Sequence, residues 1–462
     1  MMKKTPDKIP DSLLFALSTV DGRDRKFTRP IAQYFSEFAT IATRAELSGK
    51  YLIALDNLGK ILPRKLSKKE RETLRLLGEE MTEEDVKEIK AFERKTNHDV
   101  VALRLFLKKK FSDTSLADLV EFIDLGLTSD DKNNLALRLN FMRATHAIML
   151  PILEDVVREL SIVRHKHAAT PMQARTHGQA AGPTTAGKEF AVFEERLTIQ
   201  IQKLNEQRLT GKLNGAVGNW NSMKFVFPEK DWLVFSEKFV SSLGLIPNNY
   251  TTQINPYDDV AEYLQNISRI NNILISLSDD IWHYIADSWI VQIPKDGEAG
   301  SSAMPQKVNP IDFEKAEGNL EEANDLIGGL SRRLPRSRFQ RDLRDSTQAR
   351  NLGAVLGFSL VGYSAILAGL SKISINKEVM KNVLNNDWTV LSEAIQVYLR
   401  GKTKVEDPYE LMKKIVRGNH MGKEEWEKVI NGLPIDNDLK KHFKNLTPET
   451  YLGYAKELAN SK

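Results

Sequence analysis

The sequence predicts an all-α protein built around a bundle of long helices. Apolar residues recur at helical spacing over most of the 462 residues, most clearly in 258–290, and we find no convincing run of alternating apolar and polar residues. A helix over 258–290 would be roughly 50 Å long, which is longer than a small domain is wide. Helices of this length usually pack side by side in bundles, often across subunits.

Helix length divides the chain into three predicted domains, 1–124, 125–370 and 371–462. The first domain contains short amphipathic helices, which are predicted at 30–48, 68–80 and 82–94. The second contains five long helices, which are predicted at 134–167 with a kink at Pro151, at 187–209, at 258–290, after Pro310 and after Asn351. In the third domain, prolines and glycines interrupt the pattern and the elements shorten again.

Composition narrows the classes of function. Charged residues make up 28% and apolar residues 41% of the chain, which is typical of a soluble globular protein. The net charge is only +4 and no long run carries a single sign, so we expect no nucleic-acid partner. The absence of cysteine rules out disulfides, thiol nucleophiles and cysteine-bound metals. Because the N-terminus also lacks an apolar signal segment, we expect a cytoplasmic protein.

One apolar segment has the length of a membrane span. Residues 352–370 carry no charge over nineteen positions, which is close to what a bilayer requires. The segment contains four glycines and two serines, and Arg350 and Lys372 flank it. Small residues at such spacings let helices approach closely, so we predict a buried core helix and no membrane partner.

Dense polar stretches lie near the ends of the predicted long helices, at 96–99, 128–131, 175–179, 251–253 and 338–346. Helix capping accounts for Thr128, Ser129 and Ser346, because Ser and Thr are preferred at helix starts. Capping does not account for His177, or for several arginines near one helix start, where the helix dipole disfavours cations.

The segment 297–310 is the stretch around which the chemistry is expected to be organised. Its small residues up to Ala303 allow unusual backbone angles, and a helix start with acidic residues in its first turns follows Pro310. Lys307 and Asn309 precede this helix N-terminus, a position well suited to an anionic group. An ordinary surface loop before a capped helix is the alternative interpretation of the same composition.

Taken together, these residue types suggest proton transfer on a polyanionic substrate. His177 can act as general acid or base near neutral pH, and Arg23, Arg341 and Arg350 can bind phosphate or carboxylate through their fork-shaped donors. We predict no metal site, because two histidines that are two residues apart on a helix, at 165 and 167, point to different faces.

Several ordered motifs resemble those of the adenylosuccinate lyase family within the fumarase/aspartase superfamily. They are residues 96–100, 175–179, 250–253, 300–310 and 340–353. The resemblance covers nearly the whole chain, from about Val20 to Tyr451. It implies a three-domain, all-helical homotetramer with a twenty-helix core, to which each subunit contributes five helices, and active sites that are each assembled from three subunits.

The resemblance also implies a reaction. It is the β-elimination of fumarate from adenylosuccinate to give AMP, and from SAICAR to give AICAR, without a metal or organic cofactor. Ser301 would be the base, His177 would protonate the leaving nitrogen, and Lys307 with Asn309 would stabilise the doubly charged intermediate. His98 would hold or polarise His177 or the phosphate region.

The implied substrate-binding residues fall into three sets. Those for the phosphate are Arg23, Arg341, Ser346 and Arg350, those for the succinyl carboxylates are Thr128, Ser129, Thr176 and Gln253, and those beside His98 are Asn97 and Asp99.

Three positions depart from the family pattern. Asp124 stands where the family usually has histidine, Asp24 where it typically has tyrosine, and Gln306 where close relatives have histidine or tyrosine. The first two affect the predicted phosphate pocket, for which Lys132 is a candidate compensating residue. Two alternatives stay open, namely another superfamily lyase such as argininosuccinate lyase, and a catalytically impaired paralogue that acts as a scaffold or regulator.

Overall fold

A computed structural model describes residues 16–294, 297 and 303–461, and these ranges form twenty α-helices and six short strands. The predicted all-α class is confirmed. The first helices are α1 (Arg25–Phe35), α2 (Glu37–Leu58), α3 (Lys68–Leu76), α4 (Glu83–Thr96) and α5 (Asp99–Phe111). The helix predicted at 30–48 is therefore two helices. The break lies at Ser36, whose extended backbone and side-chain hydroxyl cap α2 by accepting from the Ala39 N–H at 3.1 Å.

The long helices and the strands between them follow in chain order. They are α6 (Ser129–Ala144), α7 (Leu150–Lys166), β1 (Pro171–Thr176), β2 (Gln179–Thr185), α8 (Ala186–Glu206), β3 (Thr210–Gly211), α9 (Asn221–Val226), α10 (Trp232–Ser242), β4 (Ile246–Pro247), α11 (Asp258–Ala286), β5 (Ile290–Gln292), α12 (Ile311–Arg333), α13 (Arg344–Ala349), α14 (Leu352–Leu370) and β6 (Ile373–Ile375). All five predicted long segments are helical.

The kink predicted at Pro151 takes the form of a wider turn. A π-helical segment, Thr145–Met149, separates α6 from α7, and the Leu150 N–H donates to the Thr145 carbonyl five residues back. Proline has no N–H to donate in the regular hydrogen-bond pattern of an α-helix. The wider turn before Pro151 accommodates this missing hydrogen bond.

The prediction that the chain lacks strands was wrong in detail. Strands β1 and β2 form an antiparallel hairpin, and His177 and Gly178 make its two-residue turn, with φ of 54° and 72°. Two positive φ values are typical of a type I′ turn, which usually carries Asn-Gly. The strands contain few β-branched or aromatic residues, so alternation was not visible in the sequence.

The remaining helices are short, as predicted. They are α15 (Lys377–Asn385), α16 (Ser392–Lys402), α17 (Pro408–Val416), α18 (Lys423–Gly432), α19 (Asn437–Lys444) and α20 (Ala455–Asn460). Two separate apolar clusters accompany the short helices, one within residues 41–123 and one within 388–443. The predicted domain boundaries near 124 and 371 stay a prediction.

Helix α14 is the one described helix long and apolar enough to cross a membrane, together with the residues that precede it from Arg344. In its most apolar window 67% of the residues are buried inside the protein, as expected of a core helix.

Contacts divide the chain into two compact units. Unit 1 comprises the described parts of Met1–Ile152, Gln200–Asn271 and Asn319–Gly362, and unit 2 those of Leu153–Ile199, Asn272–Gly318 and Tyr363–Lys462. Candidate site residues occur in both units, and each unit is described by itself.

Candidate active site

A polar cavity of about 380 Å³ lies in unit 1. Residues from α1, α2, α4, α5, α6 and α13 line it, and four of them were predicted to bind substrate, namely Asp99, Arg341, Ser346 and Arg350. Arg23 was predicted to join the phosphate group, but it lies exposed in the turn before α1 and is not part of the lining. The cavity therefore brings together most of the predicted phosphate-binding set.

Arg341 lies between two buried carboxylates of this cavity. Its guanidinium is 3.8 Å from Asp130 Oδ1 and 3.9 Å from Asp345 Oδ1, while its side chain stays 17% exposed. Both distances are too long for hydrogen bonds, so neither carboxylate takes up an N–H of the guanidinium. The arginine is held by charge, and its fork of donors remains available to an anionic ligand.

Asp130 was not predicted to be a site residue. It is 2% exposed, and the backbone N–H of Asn255 donates to its Oδ2 at 3.1 Å. Burial raises the pKa of Asp130 to about 6, although Lys212 and Arg341 oppose this shift. A carboxyl group in the binding cavity is thus poised to titrate close to neutral pH.

The side chains of His98 and Ser129 lie close together. His98 caps α5 by accepting from the Val101 N–H through Nδ1 at 3.4 Å, and its Nε2 lies 3.4 Å from the Ser129 hydroxyl. A ring that accepts at Nδ1 carries its proton on Nε2, so His98 donates toward Ser129. Asn97 precedes it in a left-handed conformation, with φ of 52°, and its side chain is exposed.

Asp99 is oriented by an arginine that the sequence analysis missed. Arg44 in α2 donates to Asp99 Oδ2 at 2.9 Å, and its Nε is buried without a partner among the described residues. Burial pushes the pKa of Asp99 upward, but Arg44 and the backbone N–H of Val100 more than offset it, so the pKa lies below its ordinary value. Arg44 lies within the regular helix α2, and only the fold places it at the cavity.

Beneath the cavity, Asp131 ties three segments together. It accepts from Lys212 Nζ at 2.6 Å, from the Asn214 N–H at 3.1 Å and from the Thr128 N–H at 2.8 Å. The side chains of Asp131 and Lys212 both have 0% exposure. Since Asn214 Nδ2 also donates to the Thr251 hydroxyl at 2.8 Å, the network fixes the backbone beside two predicted carboxylate-binding stretches.

Gln253 belongs to the second of these stretches. Its neighbour Thr252 donates through its hydroxyl to the Gln340 carbonyl at 2.7 Å, next to Arg341. The stretches containing Gln253, Thr128 and Arg341 thus lie together within unit 1, although the first two were predicted to bind the succinyl carboxylates and Arg341 the phosphate.

The structure accounts for Asp124, the first departure from the family pattern. Asp124 forms a buried ion pair with Lys132, and Ser48 donates to Asp124 Oδ1 at 2.8 Å. Burial lowers the pKa of Lys132, while Asp124 opposes that shift. Lys132 neutralises the extra negative charge, and Asp124 is not part of the cavity lining. Asp24, the second departure, is buried at the start of α1.

In unit 2, His177 lies exposed at the tip of the β1–β2 hairpin, and Thr176 beside it is also exposed. Arg175 anchors the hairpin end, because it pairs with Asp287 at 2.5 Å and lies over the Trp289 ring at 4.6 Å. The imidazole is therefore presented to solvent on a two-residue turn of a hairpin, whereas the sequence was interpreted only as a polar stretch that precedes a helix.

The segment before α12 carries the other predicted unit 2 residues. Ser301 lies outside the described residues. Lys307 and Gln306 are exposed, Asn309 is half-buried, and Gln292 Nε2 donates to the Val308 carbonyl at 3.2 Å. Helix α12 begins directly after Pro310, so Lys307 and Asn309 precede its N-terminus as predicted.

Within the described ranges, no group of three or more metal-ligating side chains could hold a metal ion.

Comparison with known proteins identifies the family. Residues 23–323 match the family described as lyase, and residues 337–452 match the one described as adenylosuccinate lyase C-terminal. The chain is 41% identical to an adenylosuccinate lyase of Legionella pneumophila, over 97% of this chain and 98% of the relative. It is 40% identical to that of Escherichia coli, over 96% and 98%.

Solved structures show the same fold at low identity. A fumarate lyase from Mesorhizobium sp. BNC1 superposes with a TM-score of 0.73 at 18% identity, covering 94% of this chain and 96% of that one. A 3-carboxy-cis,cis-muconate lactonizing enzyme from Pseudomonas putida gives 0.71 at 17%, covering 93% and 95%.

The family match over residues 23–323, together with the fold, identifies a lyase of the fumarase/aspartase superfamily. Within this superfamily, the full-length sequence matches are to adenylosuccinate lyases. The chain belongs to the adenylosuccinate lyase family, and it is an enzyme of the carbon–nitrogen lyase type.

Proposed function

We propose that this enzyme cleaves adenylosuccinate to AMP and fumarate, and SAICAR to AICAR and fumarate, in purine nucleotide biosynthesis. The observation that carries the proposal is the cavity of unit 1, in which Arg341, Ser346 and Arg350 share one lining. A guanidinium with free donors suits a phosphate group, which both substrates contain.

Different residues bind the phosphate and the succinyl carboxylates of the substrate. Arg341, Ser346 and Arg350 bind the phosphate, and Arg23 joins them if its turn approaches the ligand. The succinyl carboxylates bind to Thr128, Ser129, Thr176 and Gln253. Asn97 and Asp99 lie beside His98 and complete the binding set.

Elimination breaks the bond between the succinyl carbon and the purine-linked nitrogen. Ser301 removes the proton from the neighbouring carbon, and the electron pair forms the double bond of fumarate. Lys307 and Asn309 stabilise the negative charge that develops on the carboxylate, and His177 delivers a proton to the departing nitrogen. His98 holds or polarises the acid or the phosphate region, and its bond toward Ser129 supports a place beside the substrate.

We further propose a cytoplasmic homotetramer in which three subunits contribute to each active site. The long helices α8, α11 and α12, of 21, 29 and 23 residues, support a bundle that continues across subunits. Exposed placement of His177 and Lys307 in a single chain is consistent with sites that are completed by other chains.

A single assay tests the proposed substrate. Purified enzyme is incubated with adenylosuccinate and, separately, with argininosuccinate, and fumarate release is followed. Turnover of adenylosuccinate is expected. Turnover of argininosuccinate alone would instead identify the other lyase, and absence of turnover with both would favour a scaffold or regulatory protein.

The assignment of the base is tested by Ser301→Ala, which should abolish turnover while the oligomer stays intact by size-exclusion chromatography. The neighbouring Ser302→Ala is the matched control and should retain activity. Near-normal turnover by Ser301→Ala would show that another group removes the proton.

A further inference from the structure

The buried carboxylate of Asp130 faces the arginine that is proposed to bind phosphate. Asp130 lies in the wall of the cavity, 3.8 Å from the Arg341 guanidinium, and its side chain is 3% exposed. Arg341 approaches it from the segment before α13, whereas Asp130 belongs to the first turn of α6. An anion that binds Arg341 must therefore compete with a fixed negative charge on the opposite side of the guanidinium.

Most of the other charged and titratable groups around this pair have partners of their own, whereas Asp345 Oδ1 is buried without a hydrogen bond to any described residue and lies 3.9 Å from Arg341. The groups facing Asp130 or Arg341 are Lys212, Asp131, Arg138, Tyr257 and Asp345. Lys212 is paired with Asp131 at 2.6 Å, and Arg138 is paired with Asp259 at 2.8 Å. The Tyr257 hydroxyl donates to Asp345 at 3.4 Å. Of the cations in this set, Arg341 is thus the one whose position can respond to the charge of Asp130.

We propose that Asp130 is a positioning residue that couples anion binding at Arg341 to its own protonation. The ionised carboxylate draws the guanidinium toward the wall and repels the incoming anion. The protonated carboxyl releases the guanidinium to a phosphate or other tetrahedral oxyanion. The proton is taken from solvent as the anion binds and is returned when it leaves. This inference rests on the proposed role of Arg341 in phosphate binding.

Two further observations support the coupling. Burial raises the pKa of Asp130 to about 6, so the exchange between the two states falls in a range that experiments can reach. The Asn255 N–H donates to Oδ2, which leaves Oδ1, the oxygen nearer Arg341, as the one that faces the guanidinium. The affinity for an anion is then expected to fall as the pH rises through about 6.

Sulfate is a suitable probe because, unlike phosphate, it does not change charge between pH 5 and 8. Its dissociation constant is measured by calorimetry across this range at constant ionic strength, for the wild-type enzyme and for Asp130→Asn. Asparagine has the same size and keeps an oxygen for the Asn255 N–H, so the local fold should persist. Asp130→Ser provides a second neutral variant should asparagine impair folding.

The wild-type enzyme is expected to bind sulfate about tenfold more weakly at pH 8 than at pH 5, a typical size for a coupling between two sites. The neutral variants should lose most of this dependence. Asp342→Asn is the matched control, because Asp342 pairs with Arg344 at 2.7 Å. This variant should retain the wild-type slope of the logarithm of the sulfate dissociation constant against pH.

Equal slopes for the wild-type and neutral variants would overturn the inference, as would the absence of sulfate binding at every pH. Fumarate release from adenylosuccinate is scored separately on the same wild-type preparation. Turnover with equal slopes would refute the role of Asp130 alone. Absence of turnover with a slope that depends on Asp130 would refute the proposed function and leave the coupling at Arg341 supported.

Discussion

The candidate site residues of unit 1 and those of unit 2 differ in how their side chains are held. In unit 1 a buried polar network supports the segments that carry the binding groups. In this network Asp131 pairs with Lys212, and both side chains have 0% exposure. In unit 2 His177 occupies a two-residue turn and Lys307 an exposed segment. A buried network fixes geometry, whereas an exposed turn leaves a side chain free to exchange protons. Substitutions in unit 1 should therefore cost stability or binding, and those in unit 2 should cost turnover alone.

The largest effect is expected at the hairpin tip. His177→Asn removes the proposed acid but keeps the turn, because asparagine tolerates the positive φ of 54° better than alanine does. We expect kcat to fall by about 10²–10⁴-fold, the usual contribution of a general acid, while the thermal midpoint and circular dichroism stay unchanged.

His420→Asn is the matched control for this change, because His420 is also an exposed unit 2 histidine, paired with Asp387 at 3.0 Å. It should retain wild-type turnover in the fumarate assay. A loss of less than tenfold in His177→Asn, or a loss of structure, would contradict the contrast between the two units.

The next largest effect concerns the network beneath the cavity. Asp131→Asn leaves the buried Lys212 ammonium without its counter-charge, and breaking such a pair from one side costs about 3–5 kcal/mol of the free energy of unfolding. Urea denaturation followed by circular dichroism should show a much lower midpoint. The exposed pair of Asp118 with Arg64 gives the control, because Asp118→Asn should cost less than about 1 kcal/mol. Equal midpoints for the two variants would mean that the network does not stabilise the fold.

Much of the fold could be predicted because helical periodicity is strong in the long segments. The five long helices, the boundary after Pro310 and the irregularity at Pro151 all follow from local patterns. The hairpin of β1 and β2 could not be predicted in this way, since its strands carry small and polar residues and its turn is His177-Gly178. Pairing between the two strands, rather than local propensity, determines this conformation.

The candidate site could be predicted where capping fails to explain a motif, as at His177 and Arg341. Arg44 and Asp130 could not be found from the sequence. Arg44 sits within a regular helix, and Asp130 is indistinguishable from an acidic residue in a helix first turn. Only the packing of α2, α5 and α6 around one cavity gives them a role. The pairing of Asp124 with Lys132 was named as a candidate from the sequence, and the structure shows this buried ion pair.

A smaller effect is expected within the binding cavity. Arg341→Met removes one guanidinium from the proposed phosphate site, and we expect KM for adenylosuccinate to rise by roughly 10–100-fold with a lesser change in kcat. Arg344→Met is the matched control, because Arg344 is three residues away and paired with Asp342 at 2.7 Å. Steady-state kinetics should show KM within a few-fold of wild type for this control. An equal rise in both variants would indicate a general electrostatic effect rather than a binding contact.

The smallest effect separates the two neighbouring carboxylates of α6 by their response to pH. Burial raises the pKa of Asp130 from its ordinary 3.8 to about 6, so the folded protein holds this proton more tightly than the unfolded chain does. The corresponding stability is present in full below about pH 4, is lost as the pH rises through about 6, and does not change further above that.

Relative to wild type, Asp130→Asn should therefore gain stability between about pH 4 and pH 7, by at most about 3 kcal/mol for a shift of this size. Urea midpoints measured at half-unit intervals of pH test this. Asp131→Asn should show no such gain, because its carboxylate is paired with Lys212 and satisfied by backbone N–H groups. A parallel pH dependence in both variants would mean that residues 130 and 131 share one electrostatic environment, and the distinction between a carboxylate that fixes the fold and one that responds to ligand would fail.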